Sequence, residues 1–323
     1  MKKTYEKIAS GKTLENKTVK EETMKSKQWI RKHKWVWISA LILLLAALLF
    51  IPIYEAYQSI SDPLAERQSN LREEALQLEK KEPFSVLLLG VDDDGEVRRN
   101  AGTIMVLTVN PAVQSIKLLH IPRETRVDIP GQDQPDKLNH AYKTGGVELM
   151  METVEEFVDI PIDYFVKINM EGVEGVVDAM GGITVENEKA FSYEGYHFRK
   201  GRISLDGKQA LAYIRMRQLN ENGEEERHER QQKVIEEVIR KGADLQSLTH
   251  YDKIATALMN NVKTNFTIKE MFQIKKHFQA ALQHLDSINM QGSAKKINGV
   301  YYDVIDDSEI KKISEILQKH LDY

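Results

Sequence analysis

FSVLLLGVDDDG, Phe84 to Gly95, decides the fold. Its first seven residues form an apolar run too short for an ordinary helix and ended by glycine, so they read as a strand buried on both faces. TIMVLTVN (Thr103–Asn110) and SIKLLHI (Ser115–Ile121) flank the turn string NPAVQ and read as a hairpin. Val147, Met150, Met151, Val154, Phe157 and Val158 fall at helical spacing in one apolar stripe. IDYFVKIN (Ile162–Asn169) is a further strand. GVEGVVDAMGG reads as a helix closed by Gly181 and Gly182, with strand ITVE after it. Next come QALAYIRMR, a helix reaching Lys241, the strand VYYDV (Val300–Val304) and a last helix, Ser308–Leu321. Strands alternating with helices predict an α/β domain, and the hairpin makes its sheet mixed.

Upstream, WVWISALILLLAALLFIPIY (Trp35–Tyr54) is twenty residues without a charge. As a helix it would span about 30 Å, the hydrocarbon thickness of a bilayer. Lys25, Lys27, Arg31, Lys32 and Lys34 precede it, and Glu55 and Asp62 follow. The positive-inside rule then predicts a single-pass, type II membrane protein, with its N-terminus cytoplasmic and its main domain extracellular. Residues 1–34 read as a disordered basic tail and 35–54 as a signal anchor. Residues 55–82 read as a polar helical stalk carrying Leu64, Leu71 and Leu78, and 83–323 as the outer domain. The tail holds eleven Lys/Arg against four Asp/Glu, which leaves −11 on the rest of a chain whose formal net charge is −4. So acidic an outer domain predicts no nucleic-acid partner. The chain has no cysteine, which excludes disulfides, zinc–thiolate sites and thiol nucleophiles.

Several strings carry candidate chemistry. Asp92, Asp93 and Asp94 follow a buried strand, where ligand groups collect in α/β sheets, and carboxylates there suit Mg²⁺. Arg123 and Arg126 follow another strand, and Lys137 and Asn139 sit just before a helix. Arginine presents a planar fork that matches phosphate. RMRQLNENGEEERHERQQ (Arg215–Gln232) holds four arginines and five glutamates. Arg215 and Arg217 alternate with Met216 on a strand or extended segment. Arg230, Val234 and Val238 are spaced by four, as are Gln231, Ile235 and Ile239, so the apolar stripe of this helix runs back onto Arg230 and Gln231. Arg227 and Arg230 at a helix start oppose the macrodipole, and a cation facing the interior needs an anion, either the nearby glutamates or a bound phosphate. No Walker A, G-x-S-x-G, H-E-x-x-H or G-x-G-x-x-G motif is present.

Taken in order, LLLGVD, IPRET, KLNHAY, a GG before an amphipathic helix, IPIDYF, VDAMGGI, L-x-G-x-x-A-L-A-Y-x-R-M-R and R-x-x-R-Q resemble the LytR–CpsA–Psr family. The likeness spans roughly residues 83–323 and is strongest to its Gram-positive teichoic acid transferases. The resemblance implies an α–β–α layered domain with an apolar tunnel for a prenyl chain. It implies a transferase of cell wall biogenesis that moves teichoic acid, or a similar anionic glycan, from polyprenyl pyrophosphate to peptidoglycan. It implies Mg²⁺ on Asp92, and Asp93 or Asp94 stands as a possible replacement for the family's second carboxylate ligand. Arg123, Arg215, Arg217, Arg227, Arg230 and Gln231, with Lys137 and Asn139, would bind the pyrophosphate. Asp92, Arg123, Arg217 and Glu224 would be catalytic, with Asp92 or Glu224 taking the acceptor proton. Met150 and Met151 read as core packing, with a place along the tunnel as the second reading.

Three positions depart from the family pattern. Asn100-Ala101-Gly102-Thr103 stands where the family has Arg-Ser-Asp-Thr, so Gly102 replaces a second metal-site Asp. Glu124 replaces an Asp, and Glu224-Glu225-Glu226-Arg227 replaces Asp-Phe-Gly-Arg. Gly102 motivates an alternative reading, a protein that binds polyprenyl phosphates or regulates at the cell envelope without turnover.

Overall fold

A computed structural model of the chain describes residues 67–91, 100–216, 223–244, 261–278 and 284–323, with 58, 61, 280 and 281; the side chains of 223–225 and 243–244 are not described. The tail and the anchor segment lie outside the described residues. The order is β1 (Phe84–Val91), β2 (Ala101–Asn110), β3 (Ser115–Ile121), β4 (Arg126–Val127), β5 (Asp136–Lys137), α1 (Leu138–Val158), β6 (Tyr164–Asn169) and α2 (Met170–Ala179). There follow β7 (Ile183–Asn187), β8 (Phe191–Tyr193), β9 (Tyr196–Phe198), β10 (Gly201–Leu205), α3 (Gly207–Arg215) and α4 (Gly223–Asp244). The chain closes with β11 (Val262–Thr264), α5 (Ile268–His277), β12 (Leu285–Asn289), β13 (Gly292–Ile297), β14 (Val300–Ile305) and α6 (Asp307–Leu321).

The central sheet is mixed, in the order β11-β6-β1-β2-β3-β12. β1 runs antiparallel to β2 and parallel to β6, and β3 runs antiparallel to β2 and parallel to β12. Side chains alternate across a strand, so both faces of β1–β3 need cover. Leu87, Leu89, Ile104, Val106, Leu119 and Ile121 pack with α1 and α6 on one face. Val86, Met105, Leu107, Ile116 and Leu118 pack on the other with α4, α5 and Leu78. This is the α–β–α layering that the family likeness implies. A second core joins α2, α3 and α4 to the β7–β10 ribbon. Met150 and Met151 are fully buried in the α1 layer, so the core-packing reading holds for them.

The helical reading of the stalk does not hold for its described part. Residues 67–77 form turns and extended chain, and only Leu78–Lys80 makes a 3-10 turn. The reason is a set of ion pairs to Glu155 of α1 and to Asp163 just ahead of β6. Arg67 bonds Glu155 at 2.5 Å and the Ile162 carbonyl at 3.0 Å. Arg72 grips Asp163 through both oxygens, at 2.7 and 2.8 Å. Two further readings change. QALAYIR is helical up to Arg215, because Asp206 and Gln209 form a capping box that starts α3. α4 begins at Gly223, so Arg227 and Arg230 lie beyond its first turn, where the macrodipole has faded.

Candidate functional site

The candidate residues converge at one end of the sheet. Gly90 pairs with Thr103, Ile104 with Ile121, and Val91 with Asn169. The carboxyl ends of β1, β3 and β6 therefore meet the start of β2, the place where α/β sheets gather ligands. Gly102 lies on this edge, and Arg123 follows directly from β3. Thr103 donates its hydroxyl to Gln231 at 2.8 Å, which ties α4 to the same end. The His120 and His228 rings approach to 5.0 Å between centroids. Burial, then the neighbouring His228 and Arg227, hold His120 down to about 3, so its ring is neutral at pH 7.

A mixed-charge cluster surrounds Arg123. Its Nε lies 3.7 Å from one Glu124 oxygen, and Lys137 pairs with the other. Lys137 also lies 5.9 Å from the centroid of the Tyr302 ring. The Asn139 amide donates to the Arg123 carbonyl at 3.1 Å, and the Asp303 amide to the Glu124 carbonyl at 2.9 Å. Burial and then Glu124 push the Asp303 carboxyl up, against the pull of His228 and Lys137. Sequence reading singled out neither His228 nor Asp303. The first is hidden in a charged run, and the second arrives on β14 from the far end of the chain.

Other sequence candidates fall elsewhere. Arg230 is buried at 7 % exposure. It donates to the Tyr213 carbonyl at 2.9 Å and to the Met216 carbonyl, with its guanidinium 5.2 Å from the Phe191 ring centroid. Two carbonyl dipoles and an aromatic face meet this interior cation, and Glu226 and Glu229 lie near enough to favour its charge. Arg215 ends α3 and is exposed. Asn139 is buried, and its Oδ1 has no hydrogen-bond partner among the described residues. Asp92, Asp93, Asp94 and Arg217 lie outside the described residues, as does the Glu224 side chain.

Beside the polar end is an apolar cavity, about 900 Å³ of unfilled space counting its open mouth. Leu88 and Val166 of the sheet, Val173 and Val176 of α2, and Ile235 and Ile239 of α4 line it. Gly90, Thr103 and Gln231 also line it, at the end where the charged cluster begins.

A model of the LytR_cpsA_psr family matches residues 49–319. The chain belongs to the LytR_cpsA_psr family. The likeness drawn from its motifs is thereby borne out. It is 42% identical, over 79% of its own length and 83% of the other's, to the polyisoprenyl-teichoic acid–peptidoglycan teichoic acid transferase TagU of Bacillus subtilis (strain 168). The crystal structure of B. subtilis TagU matches with a TM-score of 0.60 at 42% identity, covering 75% of this chain and 97% of that one. TagT bound to LI-WTA matches with a TM-score of 0.67 at 30% identity, covering 79% and 97%. Among the described residues no group of three or more His, Asp or Glu is placed to hold a metal ion.

Proposed function

We propose that this chain is a membrane-anchored, extracytoplasmic transferase that moves teichoic acid, or a similar anionic glycan, from polyprenyl pyrophosphate to peptidoglycan. The observation that carries the reading is the apolar cavity ending at Gly90, Thr103 and Gln231, one helical turn from Arg227. A prenyl chain suits the apolar walls, and its pyrophosphate suits the cations gathered at that end: Arg123, Lys137 and Arg227. Arg217, Asp92 and Glu224 belong to the same end by motif. Arg230 holds the frame, and Arg215 is free to meet the glycan side. The Trp35–Tyr54 segment supports a type II anchor with the domain outside the cell.

In the transfer, a muramic acid hydroxyl of peptidoglycan attacks the glycan-bearing phosphorus. Its proton passes to a carboxylate, the bond to the prenyl phosphate breaks, and that phosphate leaves as an anion. Cations at the mouth stabilise the charge that develops. Mg²⁺, held by Asp92 with Asp93 or Asp94, would add the same stabilisation. The test is transfer by the purified chain from polyprenyl-pyrophosphate glycan to peptidoglycan oligomers, with and without Mg²⁺. Wild-type turnover that is lost in Arg123→Ala supports the reading, and unchanged turnover in that variant refutes it. Gly102→Asp separates the binding-only alternative. Among the described residues a Cβ at Gly102 meets only the Gly90 carbonyl, at 3.6 Å, an ordinary contact, so the backbone there tolerates the substitution. Turnover that appears only in Gly102→Asp favours a binding protein, although the transferase name of the 42% identical relative favours the enzyme.

A further inference from the structure

Helix α5 carries a surface that the transfer chemistry does not use. Phe272 is 67% exposed, the most exposed large apolar side chain among the described residues. It is ringed by the exposed Lys269, Lys275 and Lys276, at i−3, i+3 and i+4 on the same helix face. The acidic side chain of this helix is turned away, since Glu270 accepts from the Tyr164 hydroxyl at 2.7 Å and caps the helix start through Thr267. Glu79 pairs with Lys269 at 2.9 Å, and Lys276 and His277 also lie close enough to hold its carboxyl low. Among the described residues, three lysines and the one carboxylate of Glu79 thus surround this aromatic ring. Aromatic rings flanked by lysines are the pattern that settles at a lipid headgroup layer.

The chain path supplies a second, independent constraint. Ser61 bridges to Thr264, four residues before α5 begins. Only six residues lie between Ser61 and Tyr54, the end of the uncharged segment, which makes seven chain steps. Fully extended they reach about 25 Å. If that segment spans the bilayer, the start of α5 is tethered close to the outer headgroups.

We propose that the Lys269–Phe272–Lys275–Lys276 face of α5 docks on the anionic lipid surface beside the anchor, seating Phe272 among the headgroups. This rests on the anchor reading. α5 packs on the sheet face that also carries the cavity, sharing Ile235 and Ile239 with it through one apolar cluster. Docking would therefore hold the cavity against the bilayer from which a prenyl carrier must come.

The chain has no native cysteine, so one introduced thiol reports cleanly. The full chain is reconstituted in vesicles as Phe272→Cys, labelled with an environment-sensitive fluorophore, and compared with Val113→Cys, an equally exposed position on the β2–β3 turn. With equal parts phosphatidylglycerol and phosphatidylcholine, the label at 272 is expected to be quenched at least twofold by brominated lipid, and that at 113 not at all. Lys275→Glu with Lys276→Glu, or phosphatidylcholine alone, is expected to remove at least half of that quenching. Retention on vesicles through carbonate extraction tests the anchor separately. A chain that washes off overturns the anchor and this inference with it. A retained chain whose label at 272 stays as aqueous as that at 113 overturns the inference alone. Shielding that grows with protein density and ignores lipid charge assigns Phe272 to a second copy, which also overturns it.

Discussion

Cutting the chain at residue 83, where the sequence places the start of the outer domain, is expected to destabilise it strongly. The cut removes Arg67 and Arg72 and leaves their partners behind. Glu155 and Asp163 are 4% and 9% exposed. Losing one member of a buried pair costs about 3–5 kcal/mol, because the remaining charge is stranded in the interior. The lower end applies here. Both arginines retain some solvent contact, Glu155 still accepts from the Ile162 amide at 2.8 Å, and Asp163 from the Ser85 amide at 2.9 Å. Two pairs at about 3 kcal/mol each give about 6 kcal/mol, before the loss of buried Leu78. A whole domain is stable by about 5–15 kcal/mol, so a piece beginning at 83 stands near the edge of folding. Urea unfolding of pieces beginning at Gln58 and at residue 83 measures the difference, and Arg72→Ala in the longer piece isolates one pair at about 3 kcal/mol. Equal midpoints for the two pieces would refute the assignment of residues 67–82 to the domain, and with it the explanation for the missing stalk helix.

Arg230→Met is expected to lower stability by about 2–4 kcal/mol, since two buried carbonyls lose charge-assisted donors. Calorimetry reads this loss, and a raised donor KM at unchanged stability would restore Arg230 to the pyrophosphate site. Ile235→Trp is expected to fill the cavity and raise KM for a long-chain prenyl donor at least tenfold, about 1.4 kcal/mol, while sparing a short-chain donor; equal effects on both would show that the tail lies elsewhere. Stability should also fall in acid. His120 is held at about 3 and His320 at about 4, each chiefly by burial, against 6.5 unfolded. With folded values depressed, the unfolded chain binds more protons below pH 6.5, so the stability present above that pH is lost as pH falls toward 4. Between pH 7 and 5 each ring contributes a loss of about 2 kcal/mol. Unfolding midpoints of wild type and His320→Gln across that range check it, and parallel pH profiles would contradict the assignment of His320.

The parts of the molecule legible in the sequence are those fixed by local pattern. Phe84–Gly90 reads as a strand covered on both faces because its apolar residues do not alternate, and the layers on either side follow. The stripe on α4 places Gln231 and Arg230 in the interior for the same reason, and both are buried. What a buried polar group meets there is set by distant chain, which periodicity does not encode. Gln231 meets Thr103, 128 residues away, while Arg230 meets the carbonyls at the end of α3. Adjacent residues with the same burial thus bond to partners on different elements. Of the heptad-like Leu64, Leu71 and Leu78 the last two are described, and their seven-residue spacing is also satisfied by an irregular chain that buries Leu78. Leu78 is 4% exposed and Leu71 only half-buried, while the intervening arginines set the path.

One consequence joins these readings. From Arg227 to Ile239 is twelve residues of α4, a rise of about 18 Å. Along that length the face turned to the sheet changes from Arg227 and His228, beside the Arg123 strand end, through Gln231, to Val234, Ile235, Val238 and Ile239 on the cavity wall. A ligand with a charged head and an apolar tail is matched by a single rigid helix in the right order. Arg230, at the head of the Val234–Val238 row, pins α4 to the end of α3, which leads into Arg217. The helix therefore sets tail depth, head position and the entry of the second arginine segment together. On this view a substitution in the cavity wall that tilts α4 should disturb catalysis as well as lipid binding, whereas one on α2 that only narrows the cavity should act on lipid binding alone. Comparing Val238→Ala with Val173→Trp in kcat and KM separates the two, and a pure KM effect in both would mean that the head site is positioned without α4.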